Sequence, residues 1–168
     1  MYKDIFLQST DDEGRFCTEA PSTLWDRQDL SQPMMIDNEY ERTTNQVFLD
    51  NAFGDVLIGG LGIGLIIKAI EDNANITSIT VIEKHQRIID LIVPQSNFNN
   101  KVTVIQGDIH TYIPTKQYDT IWLDDWTSAE EDAVYREPSI FVGDSREQWK
   151  DKFSPYLTDG GYINYWKQ

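Results

Sequence analysis

The most constraining feature of this sequence is a short apolar run that ends in closely spaced glycines. It reads Val56-Leu57-Ile58-Gly59-Gly60-Leu61-Gly62-Ile63-Gly64, and an apolar stretch continues to Asp72. An apolar run closed by glycines predicts a buried strand over Asp55–Gly60 and then a turn, and the stretch Gly62–Asp72 predicts a helix. The start of such a helix offers unpaired backbone N–H groups to a ligand.

The spacing of these glycines narrows the kind of ligand. A dinucleotide fingerprint requires G-x-G-x-x-G, and counting from Gly60 places Leu65 at the last position. The observed pattern, Gly60-x-Gly62-x-Gly64, favours a ligand without a pyrophosphate. The alternative is that the glycines only allow the strand and helix to pack closely.

Strands and helices alternate along the rest of the chain. The predicted strands are Asp55–Gly60, Ser78–Glu83, Lys101–Gly107, Tyr118–Asp124 and Gly161–Trp166; the predicted helices are Gly62–Asp72, Lys84–Val93, closed by Pro94, and Ser145–Leu157. Each strand is almost wholly apolar, which is typical of a parallel sheet covered on both faces. We therefore predict an α/β, doubly wound, Rossmann-like sheet of five strands after residue 54.

Residues 1–54 read differently from this alternating region. Tyr2–Gln8 and Arg15–Thr18 predict a hairpin, and mixed apolar and polar residues from Met34 to Phe53 predict one helix. We expect residues 1–54 to form an N-terminal extension that acts as a lid or an interface. Residues 55–168 would form the ligand-binding domain, within one compact domain overall.

The amino-acid composition limits the kinds of partner that this chain can bind. The chain has 168 residues, with 28 Asp and Glu against 14 Lys and Arg, a net charge of −14. Phosphates attract clustered Lys and Arg, so this balance argues against nucleic acid and anionic membranes as partners. It favours a cytoplasmic protein with a small or cationic ligand, unless the charge serves only solubility. With one cysteine and two histidines, we expect no disulfide and no Cys- or His-based metal site.

Acidic side chains follow two of the predicted strands. Glu83 ends the second strand, where a carboxylate can accept hydrogen bonds from both hydroxyls of a ribose. Gln106-Gly107-Asp108 follows the third, where Asp108 could accept a hydrogen bond from the amino group of an adenine. The alternatives are a surface glutamate at a strand end and an ordinary Gly-Asp turn in which Asp108 caps the next segment of the chain.

Two adjacent acids and a tryptophan follow the fourth strand. Asp124 and Asp125 are the candidate catalytic residues, because ligands of such sheets bind at the carboxyl ends of the strands. Successive side chains point in different directions, so we expect one of them, Asp124, to orient an amine or guanidine and accept its proton. Trp126 could stack on a sulfonium or another cation. The alternative is a solvated loop with a tryptophan in the core.

Together these motifs resemble the class I S-adenosylmethionine (SAM)-dependent methyltransferases. The resemblance covers residues 55–166 and rests on VLIGGLGIG, VIEKH, QGDI, YDTIWLDDW and DGGYINYW. It implies SAM as cofactor, S-adenosylhomocysteine (SAH) as product and no metal. The residues that it assigns to the cofactor are Gly59, Gly60, Leu61, Gly62 and Gly64 in the turn, Glu83 and Lys84 at the ribose, and Gly107, Asp108 and Ile109 at the adenine.

Two subfamilies look similar on the substrate side. Pro33-Met34-Met35 followed by Glu39-Tyr40-Glu41 resembles the lead-in of guanidinoacetate methyltransferase-like enzymes, as does the acidic segment after the fourth strand. This implies that Asp124 holds and deprotonates a small cationic amine or guanidine, with Glu39, Glu41 and Trp126 as substrate contacts. The acidic segment also resembles that of spermidine synthases, which transfer an aminopropyl group.

Other functions stay open from the sequence. The antiparallel strand pair that usually ends the family's sheet has no counterpart after the fifth predicted strand. Residues 1–54 or a neighbouring subunit would then close the acceptor side, which makes a homo-oligomer one expectation. The alternatives are an enzyme that degrades SAM without an acceptor, and a non-catalytic SAM-binding or interaction protein.

Overall fold

The protein is described here by a computed structural model. The structure describes residues 5–8, 23–26, 35–36, 43–124 and 145–166, with side chains for 43–124 and 149–166.

A five-stranded parallel sheet forms the centre of the molecule. Its strands are β4 Gly54–Gly59, β5 Ile76–Glu83, β6 Val102–Gln106, β7 Tyr118–Leu123 and β8 Leu157–Tyr165, and their order is β6-β5-β4-β7-β8. The chain builds outward from β4 to β6 and then returns to the other side of β4 as β7. This order confirms the predicted doubly wound, Rossmann-like sheet and puts its switch point between β4 and β7.

Helices cover both faces of this sheet. They are α1 Gln46–Asn51, α2 Leu65–Ile70, α3 Gln86–Ser96 and α4 Ser145–Phe153, and a 3-10 turn follows at Ser154–Tyr156. One buried cluster joins α1, α2 and α3 to strand residues such as Ile58, Val81 and Trp122. The other joins α4 to Leu57 and Ile121. The alternation of Leu57 and Ile58 between clusters follows from the period-two geometry of a strand.

A separate three-stranded antiparallel sheet precedes the parallel one. It consists of β1 Ile5–Gln8, β2 Thr23–Asp26 and β3 Met35–Ile36 in the order β1-β2-β3. β1 therefore pairs with β2, whereas the predicted partner, residues 15–18, lies outside the described residues. The helix predicted from residue 34 was wrong at β3, because cross-strand pairing with β2 overrides weak local periodicity.

The predicted helix boundaries also needed correction. α2 is shorter at both ends than predicted, and α3 continues past Pro94 to Ser96. Pro94 lies in the last turn, where only one backbone hydrogen bond is lost. Side chains of the same turn donate hydrogen bonds to backbone carbonyls: the Gln95 amide donates to Leu91, and the Ser96 hydroxyl donates to Ile92.

The last helix ends at Phe153, and β8 begins four residues before the predicted Gly161. Leu157 pairs with Tyr118, and a register shift at Tyr118/Thr120 places residues 158–161 in a bulge. The Thr158 hydroxyl holds this bulge by donating to Asp119 Oδ1 at 2.8 Å. None of the helices in the described part of the chain combines the length and the apolarity that crossing a membrane requires.

Candidate functional site

The candidate site lies at the carboxyl ends of β4 and β7, on either side of the point where the strand order reverses. In open α/β sheets, ligands bind where the strand order reverses. The strand ends are tied together there: the Asp124 N–H donates to the Gly59 carbonyl at 2.7 Å, and the Gly60 N–H donates to the Ile82 carbonyl at 2.9 Å. The predicted residues of the glycine turn, Glu83 and Asp124 thus lie at the end of three neighbouring strands.

The glycine turn has a backbone shape that side chains would disfavour. Gly60, Gly62 and Gly64 all have positive φ angles, of 100°, 50° and 79°. L-residues rarely adopt this conformation, so the turn requires glycine for its own geometry. Gly60 and Gly62 therefore offer half-buried backbone without a side chain, on either side of the buried Leu61.

Two glycines of the motif are also required by packing. A Cβ on Gly59 would lie 2.8 Å from Ile109 Cγ1, and one on Gly64 would lie 2.8 Å from Phe98 Cζ. Gly64 therefore serves the junction between α2 and the end of α3, as the close-packing alternative requires. Gly59 lets the loop after β6 lie directly over the end of β4.

Glu83 links the glycine turn to the end of β5. Its side chain is buried, and its Oε2 accepts a hydrogen bond from the Leu61 N–H at 3.0 Å. Its Oε1 accepts from the His85 N–H at 2.7 Å and lies 3.3 Å from His85 Nδ1. A carboxylate has about four acceptor positions, so these contacts leave capacity for a ligand hydroxyl.

The loop after β6 lies beside Glu83. The Gly107 N–H donates to the Glu83 carbonyl at 2.9 Å, and Lys84 Nζ lies 2.8 Å from Asp108 Oδ2. Asp108 Oδ1 accepts from the His110 N–H at 2.9 Å. Burial alone would raise the pKa of Asp108, but the hydrogen bonds and charges of Lys84 and His110 hold that pKa below its ordinary value. Asp108 is therefore an ionised, fixed acceptor at neutral pH.

Sequence reasoning missed Lys152. This residue of α4 donates from Nζ to the Ile109 carbonyl at 3.1 Å and to the His110 carbonyl at 2.7 Å. The His110 ring meets the Trp149 ring edge-on, with centroids 4.1 Å apart. No local signal marks Lys152, because its partners lie 43 and 42 residues earlier and the contact depends on how α4 packs.

On the side of the site that is predicted to bind the substrate, the structure describes one of the predicted residues, Asp124. Asp124 is half-buried at the end of β7. The other predicted residues of this side lie outside the described residues: Glu39, Glu41, Asp125 and Trp126. Within the described part of the chain, no three His, Cys, Asp or Glu side chains are grouped to hold a metal ion.

Comparison with solved structures identifies the fold. The chain resembles DhpI in complex with SAH, with a TM-score of 0.55, 18% identity and coverage of 76% of this chain and 56% of that one. It also resembles the glycopeptide N-methyltransferase MtfA complexed with SAH, with a TM-score of 0.52, 14% identity and coverage of 73% and 47%. The chain therefore has the Rossmann-like methyltransferase fold, and it spans about half the length of these structures.

No protein-family model matches the sequence, and no curated protein matches it.

Proposed function

We propose that this protein is a SAM-dependent methyltransferase that acts on a small, cationic amine or guanidine. The observation that carries the proposal is the Glu83 carboxylate, which lies against the glycine turn at the switch point of the sheet. The fold is shared with structures that were solved with SAM or SAH bound.

The residues at the candidate site fit such a cofactor. The turn at Gly60 and Gly62 presents bare backbone, which suits the close approach of a ligand. Glu83 would accept hydrogen bonds from ribose hydroxyls, with Lys84 beside it. Asp108 would accept from the adenine amino group, and Gly107 and Ile109 flank it on the same loop.

Methyl transfer from SAM would require little of the protein beyond positioning the acceptor. SAM supplies, when bound, a methyl group already activated on a positively charged sulfur. The protein must align the acceptor nitrogen and exclude water. Asp124 would orient the acceptor and take its proton, with Asp125 next to it. Glu39, Glu41 and Trp126 would complete the acceptor pocket.

The acidic character of the chain supports the class of acceptor. A net charge of −14 favours a cationic small molecule over a polyanion such as nucleic acid or an anionic membrane surface. We place this activity in the cytoplasm. Residues 1–54, or a second copy of the chain, would close the acceptor side.

A second candidate function is a non-catalytic scaffold. Two backbone N–H groups, those of Leu61 and His85, already satisfy the Glu83 carboxylate in part, and Gly59 and Gly64 are explained by packing. In that case the same residues hold the fold together and the candidate site takes no cofactor.

Calorimetric titration with SAM, SAH and NADH separates the two candidates. We expect micromolar binding of SAM and SAH and none of NADH. Glu83→Gln should weaken SAH binding at least tenfold. The amide nitrogen of glutamine would replace a carboxylate oxygen that accepts a hydrogen bond, and would therefore face a hydrogen-bond donor. Glu71→Gln is the matched control: Glu71 is also buried and accepts from the Asn99 N–H at 2.7 Å, on another part of the fold. Absence of SAM and SAH binding by the unmodified protein would favour the scaffold.

Transfer of a labelled methyl group to pooled amines and guanidines then tests the acceptor class. Asp124→Asn should lower kcat at least 100-fold while SAH binding stays unchanged, because the carboxylate acts on the acceptor. SAM incubated with the protein alone checks for acceptor-independent cleavage. Release of methylthioadenosine or homoserine would replace the methyltransferase proposal with a SAM-degrading enzyme.

A further inference from the structure

Helix α4 contacts the loop after β6 at a point that the proposed cofactor chemistry does not use directly. Lys152 Nζ donates to the Ile109 and His110 carbonyls, and Trp149 meets the His110 ring. We propose that Lys152 is a positioning residue that fixes Asp108 so that the site selects an adenine base. This inference rests on the proposed function and adds base selection to it.

The link from Lys152 to Asp108 runs through a single peptide unit. In a trans peptide the carbonyl and the following N–H point in opposite directions. Lys152 holds the carbonyl of Ile109 at 3.1 Å, so the N–H of His110 points away from α4. That N–H donates to Asp108 Oδ1 at 2.9 Å. Fixing the carbonyl on one side therefore fixes the carboxylate on the other.

The surroundings of Lys152 strengthen this contact. Its ammonium lies 5.1 Å from the centre of the Trp149 ring and 4.8 Å from that of Phe153, and both rings are buried. Aromatic faces attract a cation and keep water away from it. With less competition from water, the bonds from Nζ to the two carbonyls hold the loop more firmly.

A fixed carboxylate discriminates between bases. Lys84 holds the second oxygen, Asp108 Oδ2, at 2.8 Å, so the carboxylate is held from both sides. An ionised carboxylate only accepts hydrogen bonds, which suits the 6-amino group of adenine. A 6-oxo base presents an acceptor at that place and would leave the carboxylate facing a lone pair. A site with a fixed polar group rejects such an analogue more strongly than a mobile one does.

The test compares SAH with S-inosylhomocysteine, which carries a 6-oxo base, by calorimetric titration. The unmodified protein should prefer SAH at least tenfold. Lys152→Met should weaken SAH binding about tenfold and reduce the preference for SAH over S-inosylhomocysteine to below threefold. Lys152→Arg should retain both the affinity for SAH and the preference. Lys150→Met is the matched control, because Lys150 belongs to the same helix and lies over the Tyr165 ring at 5.0 Å. A preference that survives Lys152→Met overturns the inference.

Amide hydrogen exchange of the ligand-free proteins supplies a readout that does not depend on the cofactor. Lys152→Met should speed exchange of the His110 N–H at least tenfold, whereas Lys150→Met should not. Unchanged exchange in Lys152→Met overturns the positioning role. If the unmodified protein binds neither homocysteine, the proposed function fails and base selection fails with it. Faster exchange would then show that Lys152 orders this loop for structure alone.

Discussion

At Gly59 the end of β4 lies in close contact with the loop after β6. Its backbone is not in the left-handed region, so an alanine could adopt it, but the added Cβ would lie 2.8 Å from Ile109 Cγ1. The cost of Gly59→Ala is therefore steric. Because Ile109 is next to Asp108, any shift that relieves the clash also moves the residue proposed to contact adenine.

We predict that Gly59→Ala lowers the free energy of unfolding by about 1–3 kcal/mol, as overpacking in a dense interior does. It should also weaken SAH binding. Urea unfolding and calorimetric titration measure the two effects. Gly107→Ala is the control for the unfolding measurement, since its Cβ would meet Ile82 Cγ2 at an ordinary 3.5 Å. Equal losses of unfolding free energy in Gly59→Ala and Gly107→Ala would show that the contact between Ile109 and Gly59 is not close enough to exclude a Cβ.

Site residues at strand ends could be predicted from the sequence, whereas the residues that hold them in position could not. The sequence predicts a ribose contact at Glu83 because this carboxylate ends the second predicted strand, and the structure brings it to Leu61 of the glycine turn. Lys152 carries no such signal, since a lysine near the end of a helix is ordinary on any surface. Its contact with Ile109 exists only once α4 has packed against the second cluster.

Among the elements, α3 ends later than the sequence predicts. Proline removes a backbone donor and usually ends a helix, which is why the sequence predicts an end at Val93. The helix instead continues through Pro94 to Ser96 and ends at Asn97, which has a left-handed φ of 46°. The buried residues Ile88 and Ile92 hold the helix on the sheet, so tertiary packing outweighs the local penalty.

We predict that Pro94→Ala raises the free energy of unfolding by about 1 kcal/mol. The change restores an N–H that can donate to the carbonyl of Asp90, four residues earlier. The gain stays below the roughly 3 kcal/mol intrinsic penalty of proline, because the site is in the last turn and alanine makes the unfolded chain more flexible. Thermal and urea unfolding measure the change. A loss of stability would mean that the proline ring packs in the apolar groove formed with Phe98 and Val102.

Strands were predicted more accurately than the N-terminal elements for a physical reason. Strands buried on both faces are almost wholly apolar, and the central strands β4 and β7 of the larger sheet follow that pattern. β1, β2 and β3 are short, and their antiparallel partners are set by pairing between distant segments. Such pairing leaves little trace in local sequence.

Net charge acts on the molecule as a whole. At neutral pH the charge of −14 disfavours a compact chain through self-repulsion. The pKa values of Asp55 and Asp108 lie below their ordinary value of 3.8. For Asp55 the main cause is the hydrogen bond from Ser78, and for Asp108 the contacts with Lys84 and His110 outweigh burial. Their stabilisation is full above the unfolded pKa and is lost as pH falls through the lower folded pKa.

Stability should therefore respond differently to salt at two pH values. At pH 7, raising the ionic strength from about 0.01 M to about 0.1 M shortens the screening length from about 30 Å to about 10 Å and weakens the net repulsion. We predict a gain of about 1–2 kcal/mol, or roughly 2–8 °C in Tm for a chain of this size. Near pH 4.3, the isoelectric point of the sequence, the repulsion vanishes while Asp55 and Asp108 stay ionised.

There the same salt should leave Tm unchanged or lower it slightly, because it then screens mainly attractive pairs such as Lys84 with Asp108 and Lys116 with Asp55. Differential scanning calorimetry at both pH values measures the shifts, and sodium chloride keeps specific anion effects small. An equal rise in Tm at pH 7 and pH 4.3 would contradict the prediction, because preferential exclusion of salt, rather than screening of the net charge, would then be stabilising the fold.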